Sequence, residues 1–199
     1  MKQQLTGGRP KIVIINGHPD TESYNFALHA AYKKGALSTG AEVREVTLAH
    51  LQFNPNLQHG YRKRMELEPD LLAAWENIVW ADHMVWIYPL WWGGMPALLK
   101  GFLDRLFLPG MAFKLKNKHT IIGLLAGKTA RIISTMDYPA WYYKWFIRQT
   151  GTRVVKKMIL SYCGIKTTGV TYISPIMDST PAFREKNITM VEKMGSNWK

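Results

Sequence analysis

Residues 11–16, KIVIIN, form an unbroken run of mostly β-branched side chains that stops at Gly17. A strand with one face in water alternates apolar and polar residues, so a run without alternation marks a strand covered on both faces. Such strands sit inside parallel sheets, and parallel neighbours must be joined by long crossovers, usually helices. This one stretch therefore steers the chain toward an α/β fold.

The rest of the sequence repeats that logic. Met84 to Tyr88, MVWIY, is a second continuous run, Thr129 to Thr135 reads TARIIST, and Thr167 to Ser174 closes the set. Glu42 to Leu48, EVREVTL, alternates and reads as a strand nearer an edge. Between the strands, Tyr24 to Ser38 places Phe26, Ala27, Ala30, Ala31 and Leu37 at helical spacing, with Gly40 as its stop. Further helices are expected from Pro69 through DLLAAWENIVWA, from Pro96 to Leu108, from Trp141 to Tyr162 with a break near Gly151, and from about Thr180 to Met194. Right-handed crossovers turn this alternation into an open five-stranded parallel sheet with helices on both faces. No repeat or linker interrupts it. Residues 1–199 read as one domain, with residues 1–10 as a loose lead-in.

Composition narrows the partners. The formal net charge is +12, but Lys and Arg are scattered from Lys2 to Lys199 with no run of five, so no nucleic-acid partner is expected. A positive field suits a phosphate-bearing cofactor or an acidic partner, and equally simple solubility. The single cysteine, Cys163, rules out an intrachain disulfide and fits a reducing compartment. The start, MKQQLTGGRP, lacks the apolar core of a signal peptide, and no stretch is long enough for a membrane span, so the expected location is cytoplasmic.

Open parallel sheets bind ligands beyond the carboxyl ends of their strands, where the strand order reverses. The loops of interest are therefore GHPDTESYN, PLWWGGMP and TMDYPAW, after strands one, three and four. In the first, Ser23 and Asn25 stand at a helix start that can hold an anion, although Ser23 serves equally well as an N-cap. His18 is a donor to a phosphate or bound ring, or else a loop hydrogen-bonder; no second ligand stands at metal spacing to it, so no metal site is expected. In the second loop, Trp91 and Trp92 offer flat surfaces, while Gly93 and Gly94 let backbone N–H groups approach a ligand. Both indoles also fit plain packing. The stretch GLLAGKT looks like a Walker loop but has three residues between its glycines where four are needed, and it leads into a strand. Neither a three-glycine dinucleotide fingerprint nor a G-x-S-x-G elbow is present.

Together GHPDTESYN, ADHMVWIYPLWWGGMPALLKGFLDRLF and LLAGKTARIISTM resemble the flavodoxin-like NAD(P)H:quinone oxidoreductases, the second flavodoxin family. The resemblance covers roughly residues 11 to 175 and implies a flavodoxin-like sheet of strand order 2-1-3-4-5. It implies a flavin, FAD with FMN as the alternative, whose phosphate region is held by His18, Ser23, Tyr24 and Asn25. Its ring would lie against Pro89, Leu90, Trp91, Trp92 and Gly93. It further implies NAD(P)H as reductant, a quinone-like acceptor, ping-pong hydride transfer, and a homodimer with active sites at the subunit interface. Backbone N–H groups from Trp92 to Gly94 would meet the charge that develops on the ring. Relatives that serve as ancillary subunits of potassium-efflux systems supply a second reading, in which the chain associates peripherally with a membrane protein. A flavodoxin-like electron carrier is a third, set against the basic charge.

The third loop departs from the family pattern. Thr135-Met136-Asp137-Tyr138-Pro139 replaces a T-T-G-G-like turn, leaving backbone contacts from Met136 and Asp137 to the ring. Tyr138 joins His18 as a candidate helper in catalysis, and Tyr138, Tyr142 and Tyr143 form either a new aromatic wall or helix packing.

Overall fold

A computed structural model describes residues 8–117 and 120–198. Five parallel strands form the sheet: β1 (Lys11–Asn16), β2 (Glu42–Thr47), β3 (His83–Pro89), β6 (Thr129–Thr135) and β7 (Lys166–Ile173), in the order β2-β1-β3-β6-β7. Counted along the chain, these strands have the expected order 2-1-3-4-5. The strands β4 (Phe113–Asn117) and β5 (Thr120–Gly123) form a separate antiparallel hairpin that the sequence reading lacks. Both are short and largely exposed, so they carry no buried run to reveal them. Residues 1–7 of the expected lead-in lie outside the described residues, and the Glu42 N–H already bonds the Pro10 carbonyl at 2.8 Å.

Every residue of β3 is buried, and β1 is buried from Ile12 to Asn16. Their side chains divide between two cores. Val13, Ile15, Met84 and Trp86 pack with α2 (Pro69–Trp80) and α3 (Ala97–Leu106), while Ile12, Ile14, Val85 and Ile87 pack with α1 (Tyr24–Ser38) and α6 (Pro181–Ser196). The helices α1 and α6 come close because glycines face backbone across their contact: a Cβ on Gly35 would stand 1.9 Å from the Glu192 carbonyl oxygen, and one on Gly195 2.2 Å from that of Tyr32. No described helix is long and apolar enough to cross a membrane. Lys128, the lysine of the Walker-like stretch, donates to the Val79 carbonyl at 2.6 Å and to that of Ala81, closing the end of α2.

The helical region after β6 is broken near Gly151, as expected. The helix α4 (Ala140–Trp145) is short, the chain turns through left-handed Arg148 and Gln149, and a second helix α5 (Thr150–Arg153) runs on as a π-helical segment, Val154–Leu160. The break thus precedes Gly151. Gly151 lies inside the helix because a Cβ there would fall 2.0 Å from the Gly93 carbonyl oxygen.

The loop between β2 and α2 is tied down by one buried cation. Arg105 on α3, 1% exposed, donates to both carboxylate oxygens of Glu68, at 3.1 and 2.8 Å, to the Glu66 carbonyl at 2.7 Å and to the Asn54 carbonyl. Burial pushes the Glu68 carboxyl up, but bonds from Arg105 and the Asn54 N–H outweigh it and hold it below the usual carboxylate range. Arg105→Ala is therefore expected to destabilise the protein by about 3 kcal/mol, the low end for breaking a buried pair, because Glu68 keeps partial access to water. Denaturant titration measures the difference. It should shrink as pH falls through the lowered Glu68 pKa, since the native ion pair is then lost in the parent protein too.

Candidate active site

A cavity of about 340 Å³ opens beyond the carboxyl ends of β1, β3, β6 and β7, a size within the usual range for small-molecule sites. It is lined by His18, Ser23, Tyr24 and Asn25 from the first loop, and by Pro89, Leu90 and Trp91 from the second. Thr135, Met136 and Asp137 come from the third, with Ile176, Met177 and Arg184 beyond β7.

The first loop is organised by its own polar side chains. Asn16 Oδ1 accepts the His18 N–H at 3.1 Å, and His18 Nδ1 lies 3.0 Å from the Asp20 nitrogen and 3.1 Å from the Asp20 carbonyl oxygen, so it accepts or donates according to the ring's tautomer. Burial lowers the His18 pKa against the pull of Asp20, which favours the neutral ring. It meets Trp91 edge-on at 5.5 Å. Ser23 stands at the N-cap of α1 yet makes no side-chain capping bond, and among the described residues its buried Oγ has no partner. A hydroxyl released from capping, beside a helix start with no acidic residue in its first turn, suits an anionic ligand. Asn25 is committed elsewhere, its Oδ1 accepting the Thr135 hydroxyl at 3.0 Å.

Arg184 brings positive charge to the same cavity. Its guanidinium lies 5.7 Å from the Tyr24 ring centre and donates to Ser179 Oγ at 2.8 Å, and the Tyr24 hydroxyl donates back to the Arg184 carbonyl at 2.7 Å. Burial raises the Tyr24 pKa to about 12, so the phenol stays neutral.

The second loop corrects the expectation for the paired tryptophans. Trp91 and Gly94 exchange both backbone bonds at 2.9 Å, with φ of 50° at Trp92 and 74° at Gly93, the positive-φ pattern of a type I′ turn. Trp91, 46% exposed, lines the cavity, whereas Trp92 is 100% exposed at the tip and neither it nor Gly93 reaches the lining. The glycines answer to backbone geometry: Gly93 supplies the left-handed position and its carbonyl receives Gly151. The Gly94 N–H is engaged by Trp91 and is not free for a ligand.

In the third loop, the Met136 N–H bonds the Ile173 carbonyl at 3.2 Å, so it too is spent within the fold. Asp137 lines the cavity through its carboxylate, which accepts the N–H groups of Ile176 and Met177. Tyr138 lies outside the lining and packs with Tyr142, while Tyr143 is buried and bonded to the Thr152 N–H. The three tyrosines therefore do not form one wall. Ile176, Met177 and Arg184 escaped the sequence reading, although the strand-end rule that singled out the other loops applies equally to the segment after the fifth strand.

Residues 10–194 match the family described as having the flavodoxin-like fold. An uncharacterized NAD(P)H oxidoreductase of Haemophilus influenzae is 30% identical over 77% of this chain and 78% of its own length. The rat NAD(P)H dehydrogenase [quinone] 1 is 26% identical over 62% of this chain, and the match spans only 56% of that protein. A Streptococcus mutans protein of known crystal structure superposes with a TM-score of 0.79 at 31% identity, covering 94% of this chain and 98% of that one. With the strand order and the cavity at the strand ends, these matches show that the chain belongs to the second flavodoxin family, that of the flavodoxin-like fold.

Proposed function

We propose that the protein is a flavin-dependent NAD(P)H oxidoreductase that passes two electrons by ping-pong hydride transfer to a quinone or similar small acceptor. The observation that carries this reading is the Ser23 hydroxyl at the start of α1, without a partner among the described residues, on a residue that lines the same cavity as Arg184 and Trp91. Those residues fit a ligand with an anionic end and a flat apolar end. The names of the oxidoreductase relatives point the same way.

In this reading Ser23 Oγ, the first N–H groups of α1 and Arg184 bind the phosphate region. Pro89, Leu90 and Trp91 form the wall beside the ring, with His18 next to them. Met136 and Asp137 close the far side. A bound flavin supplies the hydride chemistry, which is why the protein needs no catalytic dyad. FAD is the proposed cofactor, with FMN as the alternative, and chromatography of the flavin released on denaturation separates them.

Trp92 leaves the cofactor set and is assigned to a homodimer interface. Like Trp145 at 79% exposure and Phe146 at 67%, it exposes an aromatic ring, which water does not favour. A cytoplasmic location accords with the lone, buried Cys163, whose thiol pKa burial raises to about 11.

The reading predicts flavin bands in the visible spectrum of protein mixed with FAD or FMN, and rapid bleaching by NAD(P)H before any acceptor is added. A quinone should then restore the bands. A protein that takes up neither flavin and consumes no NAD(P)H with any quinone would sink the assignment. Ser23→Ala should weaken flavin binding about tenfold, the loss of one bond to a charged group, and Arg184→Ala should weaken it at least as much. Quenching of flavin fluorescence on titration measures both.

A further inference from the structure

The peptide of Ile176 is held from both sides. Asp137 Oδ1 accepts its N–H at 3.3 Å and that of Met177 at 2.7 Å. On the other side, the Ile176 carbonyl accepts the Ser179 hydroxyl at 2.7 Å, the Ser179 N–H at 3.1 Å and Arg184 Nη2 at 3.3 Å. Ser179 Oγ in turn accepts Arg184 Nε. A continuous path of hydrogen bonds thus runs from the carboxylate after β6, through one peptide unit, to the guanidinium on α6. Asp137, Ile176, Met177 and Arg184 all line the cavity.

We propose that Asp137 is a positioning residue: it fixes the β7–α6 loop as a wall of the cavity and, through the Ile176 peptide, aims Arg184 at the anionic end of the ligand. The second half rests on the flavin reading. The two backbone donors bear on a single carboxylate oxygen, and a backbone N–H loses its protection when such a partner is removed. Among the described residues no other side chain is seen bonded to the Met177 N–H. Glycines at this point, as in the family pattern, would leave the loop after β7 without that tether.

The test compares the parent protein with Asp137→Ala and Asp137→Asn. Hydrogen exchange measured without flavin should show the Ile176 and Met177 amides of Asp137→Ala exchanging about tenfold faster or more, as a local opening becomes cheaper. Asp137→Asn keeps an oxygen in the same place and should restore most of the protection. In titrations, Asp137→Ala should lose about tenfold in affinity for FMN but clearly less for riboflavin, which lacks the phosphate that Arg184 would meet. Unchanged exchange in Asp137→Ala would remove the tether. Equal losses for FMN and riboflavin would remove the coupling to Arg184. The exchange measurement needs no flavin, so it judges the tether even if the parent protein binds neither ligand and the flavin reading fails.

Discussion

The cavity depends on the burial of β3 between β1 and β6. A seven-residue strand with every side chain buried can exist only if both of its edges are paired and both of its faces are covered. Both neighbours, β1 and β6, are parallel to it, and parallel neighbours need crossover connections whose helices cover the two faces. Once this is satisfied, the first loop, the tryptophan turn and the Met136-Asp137 loop emerge side by side at one end of the sheet. No residue in those loops has to specify the meeting; the central strand does so for all of them. The Thr135 hydroxyl on Asn25 Oδ1 then ties the end of β6 to the first turn of α1, closing the floor of the cavity with a buried bond between distant parts of the chain.

The site is built from donors and flat surfaces, with little that titrates near neutrality. Burial favours the neutral His18 ring, Tyr24 is pushed to about 12, and Tyr88 beneath the second loop is pushed higher still by burial. Binding a phosphate-bearing, planar ligand needs this kind of surface: hydroxyl and amide donors at a helix start, one guanidinium and an indole. The opposed charges of Asp137 and Arg184 are kept apart by the Ile176 peptide, so neither neutralises the other directly.

The sequence was most legible where burial imposes a pattern on neighbouring residues. KIVIIN and MVWIY show their strands because both faces are covered, and Pro69 marks its helix because a proline fits the first turn. Legibility failed where the cause lies far along the chain. Gly151 marks the helix break to within two residues, but the reason it must be glycine lies far along the chain, in the Gly93 carbonyl that a Cβ there would meet. Gly93 and Gly94 suggest an open backbone for a ligand, whereas the reciprocal bonds of Trp91 and Gly94, which engage the Gly94 N–H, become visible only in three dimensions. The β4–β5 hairpin left little signature, since the alternation of FKLKN spans only five residues, TIIG only four, and both strands are largely exposed. Arg184 looked like one helix charge among many, and it acquires its place only when α6 packs on α1.

Trp92 concentrates what remains to be explained by an assembled state. A bulky residue with φ of 50° is a backbone outlier that costs on the order of 1–3 kcal/mol, and its indole is fully in water, which adds a second unfavourable contribution. The reciprocal Trp91–Gly94 bonds and the seat of Gly151 against Gly93 hold the turn in place, but neither contact covers the ring. Both penalties fall on a residue immediately next to the cavity-lining Trp91. In the proposed dimer the second subunit removes the exposure while the turn keeps its shape, so the strained backbone presents the indole as a ready-made interface element. On that reading the turn couples assembly to the site: whatever covers Trp92 also presses on the loop that carries Trp91, and through the edge contact with His18 at 5.5 Å it reaches the first loop as well.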